Sequence, residues 1–132
     1  MRTVFADTVY WVALLMGNDP WAQMAQGVTQ TLGEVHLVTT EEILSEFLAA
    51  ISRAGRTARK IAAERVLDLL HDESVTVYPQ SHGSFLDGLE FYMRRLDKGY
   101  SLVDCISMNR MRRQGISEVL SNDRHSVAGS SS

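Results

Sequence analysis

Four carboxylates stand at positions where chemistry is possible: Asp7, Glu46, Asp104 and Asp123. Asp7 directly follows a short apolar run, Thr3-Val4-Phe5-Ala6. Glu46 lies near the second turn of a helix predicted after a second strand. Asp104 falls in the first turn of a later helix, and Asp123 comes two residues after Val119-Leu120-Ser121. Carboxylates brought close together repel, so either some protonate or a cation neutralises them. An all-oxygen set without cysteine or an obvious histidine ligand suits a hard ion such as Mg²⁺ or Mn²⁺. Such an ion accepts phosphate oxygens and turns water into a nucleophile.

Each acid also has a simpler reading. An aspartate after a strand is often a turn or cap residue. Glu46 fits an exposed helix position, although Ile43, Phe47 and Ala50 place it near the buried side. Ser101 and Asp104 have the spacing of an N-cap with an acidic third position. Asp123 fits a loop with Asn122. Glu41 and Glu42 are near enough to stand in for Glu46 as ligands.

The elements that must position these acids alternate. A buried strand over 3–6 leads to a helix capped by Thr8 and carrying Trp11, Val12, Leu14 and Leu15. Gly17-Asn18-Asp19-Pro20 stops it, and Asp19 and Pro20 start another helix that ends near Gly33. Val35 to Thr39 is a second strand. Thr39 and Glu42 have capping-box spacing for a helix burying Ile43, Phe47, Leu48 and Ile51. After Gly55 a helix over 56–70 carries Ile61, Val66, Leu69 and Leu70, and Val75 to Tyr78 is a third strand. Phe85, Leu86, Leu89, Tyr92, Met93 and Leu96 recur at helical spacing. Ser101 opens a central helix that Gly115 ends, and Val119-Leu120 is a short strand. Strands alternating with helices imply βαβ crossovers, hence an α/β fold: a three-layer α/β/α sandwich around a central parallel sheet. Ligands in such sheets bind outside the carboxyl ends of the strands, and all four acids can face that edge.

The chain has 132 residues, enough for one domain over 1–132 with a Gly/Ser tail from about residue 128. Its 45% hydrophobic and 22% charged residues are those of a globular protein. A single cysteine, Cys105, excludes an internal disulfide and a cysteine-based zinc site. No apolar run approaches the roughly 20 residues that span a bilayer, and nothing marks the N-terminus for secretion, so a cytoplasmic location is expected. The net charge of −3 argues against a surface that is basic throughout, but not against basic patches that hold phosphates.

The wording around the acids adds to this. Val4-Phe5-Ala6-Asp7-Thr8, Thr39-Thr40-Glu41-Glu42-Ile43-Leu44-Ser45-Glu46, Asp97-Lys98-Gly99-Tyr100-Ser101-Leu102-Val103-Asp104-Cys105 and Ser121-Asn122-Asp123-Arg124-His125 resemble the PIN-domain family. They are most similar to its VapC-like branch, the toxin halves of toxin–antitoxin pairs. The resemblance spans nearly the whole chain and implies a Mg²⁺- or Mn²⁺-dependent endoribonuclease. It implies Asp7, Glu46, Asp104 and Asp123 as the acids, with Thr8, Ser101, Ser121 and Asn122 supporting them or the metal-bound water. It further implies in-line attack by metal-activated water, leaving a 5′-phosphate and a 3′-hydroxyl. RNA as substrate, a homodimer and a small VapB-like antitoxin are implied as partners. One departure stands out: Ser126 follows His125 where the family has an aromatic residue and a last apolar strand, so that strand is expected to be truncated or absent.

Lys98, Arg53 and Arg56 are the candidate RNA contacts, the last two in a cluster with Arg59 and Lys60; a solvated face is the alternative for each group. Arg110, Arg112 and Arg113 suit a helix C-terminus. Tyr10, Trp11 and Trp21 fit packing better than base stacking. His36, His71 and His82 are read as structural or surface residues, and His125 as a loop residue. Two rival functions remain: a PIN-like domain that binds RNA or protein with little turnover, and a phospho-acceptor or phosphatase-like domain with Asp7 as nucleophile. The second needs another aspartate close to Asp7 and a strand-end lysine, and the sequence offers neither in convincing context.

Overall fold

The structure, a computed structural model, describes residues 2–16, 35–121 and 124–127. The expected helix from Asp19 to about Gly33, with Trp21, lies outside the described residues, as do Asn122, Asp123 and the Gly/Ser tail. The strands are β1 (Arg2–Ala6), β2 (Val35–Thr40), β3 (Val75–Tyr78), β4 (Glu118–Ser121) and β5 (Arg124–Val127). The described helices are α1 (Thr8–Leu15), α2 (Glu41–Ile51), α3 (Arg56–Leu70), α4 (His82–Arg94) and α5 (Leu102–Gln114).

The sheet runs in the order β3-β2-β1-β4-β5, parallel from β3 to β4. Right-handed crossovers explain the layers. The connections β1 to β2 and β2 to β3 move one way along the sheet and lay α1, α2 and α3 on one face. The return from β3 to β4 carries α4 and α5 over the other. This is the expected three-layer α/β/α arrangement. The last strand is present rather than missing: β5 pairs antiparallel with β4, with Leu120 opposite His125, so His125 belongs to a strand and not a loop. Backbone ladder bonds do not require the apolar side chains whose absence had argued against that strand.

Val4, Phe5, Ala6, Val38 and Leu120 from the sheet meet Tyr10, Trp11, Ile43, Leu44 and Phe47 in the core. Tyr10 and Trp11 are buried and meet edge to face at 5.3 Å, so neither is available to stack a base. Three caps and faces differ from expectation. Thr40, not Thr39, caps α2, its Oγ1 accepting from the Ile43 amide at 3.1 Å. Thr39 is buried instead, accepting from Trp11 Nε1 and donating to the Ala6 carbonyl. Leu48 is half exposed, and α3 buries Ala62 and Leu69 while Ile61 and Leu70 face outward. The row Ala58, Ala62, Val66 and Leu69 is the one turned inward, because small residues let α3 approach the core.

The apolar stripe of α4 is real but uncovered. Phe85, Leu86, Leu89, Tyr92, Met93 and Leu96 are all between 39% and 72% exposed. The helix packs on α5 through its opposite face, by Gly88 and Phe91. Gly88 lies so close to α5 that a Cβ there would stand 2.5 Å from Ile106 Cγ1. Ser101 caps α5 as expected, and Gly115, at φ 66°, ends it in the left-handed conformation that glycine adopts without cost.

Candidate active site

Asp7 follows β1 at the point where the sheet's connections reverse: β1 is joined to β2 over one face, and β4 is reached over the other. This is the switch point at which α/β sheets open a crevice. The Asp7 amide donates to the Leu120 carbonyl of β4 at 3.1 Å, fixing the residue across the gap. Its own side chain, rather than that of Thr8, is the N-cap of α1, Oδ1 accepting from the Tyr10 amide at 3.3 Å. The expected cap thus moves by one residue. Aspartate accepts this bond with either oxygen and keeps the other free for other partners.

Thr8, relieved of capping, donates from Oγ1 to Glu46 Oε1 at 2.6 Å. That bond ties the start of α1 to the second turn of α2 and holds Glu46, which is half-buried, toward the sheet edge. Asp104 is the third residue of α5 and completes a capping box. Its Oδ2 accepts from the Ser101 amide at 2.9 Å, and its own amide donates to Ser101 Oγ at 3.0 Å. The structural role anticipated for Asp104 is therefore real, and it leaves Oδ1 without a hydrogen bond among the described residues.

Two of these acids bear on the third. The Asp7 carboxyl is pushed up to about 6, first by burial and then by the charges of Asp104 and Glu46; the amides of Tyr10 and Val9 pull it the other way. Glu41 and Glu42 are not among the charges acting on Asp7. Glu41 Oε1 accepts from the Gln80 amide at 2.7 Å, and Glu42 Oε2 takes the Ser84 hydroxyl at 3.4 Å. Both turn toward the β3–α4 connection.

The remaining expected site residues are less informative. Ser121 ends β4; Asn122 and Asp123 lie outside the described residues. Lys98 sits in the turn between α4 and α5, six residues before Asp104. Arg53 and Arg56 are exposed beyond the far end of α2, away from the edge that holds Glu46. Arginines of α5 are closer to structural use: Arg113 pairs with Asp87, Arg112 lies 4.5 Å over Phe91, and Arg110 lies 4.2 Å over Tyr78. Nothing in the sequence marks those ring partners, because they come from elements 20 or more residues away.

As they stand, the described residues hold no group of three His, Cys, Asp or Glu side chains set to bind an ion. The chemistry of the donor set nevertheless fits a hard divalent cation. A half-buried carboxyl whose ionisation is opposed by two further carboxylates is relieved when a cation takes up their charge.

The parallel sheet β3-β2-β1-β4 between two layers of helices is the fold that the resemblance to the VapC-like branch of the PIN-domain family implied, and a solved structure bears the likeness out. Among solved structures the chain is similar to Mycobacterium tuberculosis VapC20, a Sarcin-Ricin loop cleaving toxin. The two share 25% sequence identity at a TM-score of 0.75, over 89% of this chain and 88% of that one. No known family model matches the chain, and no curated protein does. No helix among the described residues is long and apolar enough to cross a membrane.

Proposed function

We propose that the chain is a divalent-metal-dependent endoribonuclease, the toxin of a VapBC-like pair, acting in the cytoplasm. The observation that carries this reading is a VapC-like sheet with Asp7 at its switch point and Glu46 tied by hydrogen bond to the neighbouring Thr8. Asp7, Glu46 and Asp104 would hold Mg²⁺ or Mn²⁺, with Asp123 as a fourth ligand. The ion supplies charge neutralisation at the phosphate and an activated water. The residues do the rest. Asp7 would give the ion a carboxylate whose charge the site otherwise opposes, Thr8 holds one Glu46 oxygen by a hydrogen bond, and Ser101 orients Asp104 through the capping box.

The exposed stripe of α4 supports a homodimer. Six large apolar side chains there leave on the order of 500 Å² open, near the upper limit for a free monomer and over half of what each partner buries in a standard interface. A second copy meeting it by twofold symmetry covers both stripes at once. A VapB-like antitoxin is the further partner of this reading.

A PIN-like domain that binds RNA with little turnover is the second reading, favoured by the absence of a ready ion-binding group among the described residues. Cleavage of RNA by the full chain decides. With Mn²⁺ or Mg²⁺ we expect endonucleolytic products that chelator abolishes and that Asp7→Asn or Asp104→Asn reduces at least 100-fold, the scale of losing a group that stabilises transition-state charge. Equal cleavage by both variants would defeat the site. Tight RNA binding without cleavage would favour the second reading.

A further inference from the structure

Beside the carboxylate centre, on the same edge of the sheet, is a shallow, open cleft that the proposed reaction does not use. It lies where Thr40 and Tyr78 end β2 and β3, with Glu42 of α2, Asp87 of α4, and Asn109 and Arg110 of α5 around it. Its place is set by α2. Glu42 lines the cleft and Glu46 the carboxylate centre, and the two are four residues apart, so they share one helix face a single turn apart, ~5.4 Å. Through α2 the cleft therefore adjoins the helix turn that carries Glu46.

The cleft's chemistry suits a base better than a phosphate. Arg110 places its guanidinium over the Tyr78 ring at 4.2 Å. Arg guanidinium planes and aromatic rings are the surfaces on which unpaired RNA bases stack. Of the other charges, Arg113 is already paired with Asp87, and Glu42 adds a negative charge that repels a phosphate. Asn109 gives its carbonyl to Arg112, which leaves amide N–H donors. Glu42 is half-buried and, among the described residues, its side chain is bonded on one oxygen, by the long contact from Ser84. A carboxylate so placed accepts from an exocyclic amino group, as acidic side chains do with cytosine.

We propose that this cleft is a nucleobase subsite: the Arg110–Tyr78 stack takes the base next to the bond that is cut, and Glu42 selects bases bearing an amino group. The inference rests on the ribonuclease reading for its substrate. It makes Arg110 a substrate-binding residue and Glu42 a specificity residue, not a spare metal ligand.

The test is binding of fluorescent oligoadenylate, oligocytidylate and oligouridylate dodecamers to the full chain carrying Asp7→Asn, which cannot turn them over. The adenine and cytosine oligomers are expected to bind several-fold more tightly than the uracil oligomer. Arg110→Ala should weaken all three about tenfold, the scale of one stacked base. Arg110→Lys, which keeps the charge but not the plane, should not restore binding. Glu42→Ala should leave the uracil oligomer unchanged and bring the other two down to it; because it spares the stack, it also reports should Arg110→Ala fail to fold. Affinity within twofold of the parent in both variants, full rescue by lysine, or no binding of any oligomer would overturn the subsite. Cleavage by the wild-type chain is scored separately. Cleavage with Arg110-independent affinity defeats only the subsite, whereas base-selective binding without cleavage defeats only the ribonuclease reading.

Discussion

Replacing Asp7 by asparagine is expected to make the metal-free protein more stable near neutral pH while removing its activity. The Asp7 carboxyl titrates at about 6 in the folded chain, against 3.8 for a free aspartate side chain. Folding therefore favours the protonated form. Stability from this group is fully present below the unfolded value and is lost as pH rises through the folded one, because over that interval the native state binds the extra proton. At neutral pH the accumulated penalty is on the order of 3 kcal/mol. Asparagine removes the charge and keeps an oxygen to cap the Tyr10 amide, since it is as good an N-cap as aspartate. Allowing for the solvent that reaches this half-buried group, a gain of about 2 kcal/mol remains, or roughly 5–8 °C in melting temperature for a chain of this length. The assay is urea unfolding in chelator at about pH 7.5 and again at about pH 4, where the carboxyl is protonated in the folded wild type and the difference should nearly vanish. A variant less stable than wild type at the higher pH, or a gain of equal size at both, would refute the reasoning.

Other perturbations follow from the same contacts. Thr8→Val removes the 2.6 Å bond to Glu46 and should cost about 1 kcal/mol in stability. It should also weaken Mn²⁺ binding, which calorimetry would register. Thr39→Val leaves the buried Trp11 Nε1–H and the Ala6 carbonyl without their shared partner, so denaturation should show a loss of about 2–3 kcal/mol. Gly88→Ala drives a methyl to 2.5 Å from Ile106 Cγ1 and should destabilise by about 1–3 kcal/mol, and Ile106→Ala, which removes that carbon, should cost less in this variant than in the parent by urea denaturation. Met93→Glu on the open α4 stripe should leave the melting temperature within a few degrees but convert a dimer to a monomer in light scattering; an unchanged mass would place the interface elsewhere.

The sheet was legible because its strands announce themselves. Val35 to Thr39 and Val75 to Tyr78 are β-branched runs bounded by turn residues, and the observed strands begin where those runs do. Capping at Ser101 and Gly115 was equally plain, since each is the residue type its backbone geometry demands. What local pattern could not resolve was which of two adjacent residues caps a helix: Asp7 over Thr8, and Thr40 over Thr39. Both choices were settled by tertiary bonds, from Thr8 to Glu46 and from Trp11 to Thr39, between residues up to 38 positions apart. Burial of a helix face was also misjudged where size was taken for depth. In α3 Ala58 and Ala62 go inward, and five large side chains of α4, with Leu96 just past its end, face out because Gly88 permits close packing on the other side. The candidate site was visible as acids at strand ends; the Tyr78–Arg110 stack beside it was not, because helix-end arginines look alike until a ring from another element meets one of them.

Mn²⁺ titration of the full chain by calorimetry tests the central claim most directly, because it asks whether Asp7, Glu46 and Asp104 share one ion. The account predicts a binding event that Asp7→Asn, Glu46→Gln and Asp104→Asn each weaken at least tenfold, ~1.4 kcal/mol, while exposed Glu73→Gln leaves it unchanged. Affinity indifferent to all three site variants, or lost equally with Glu73→Gln, would contradict it.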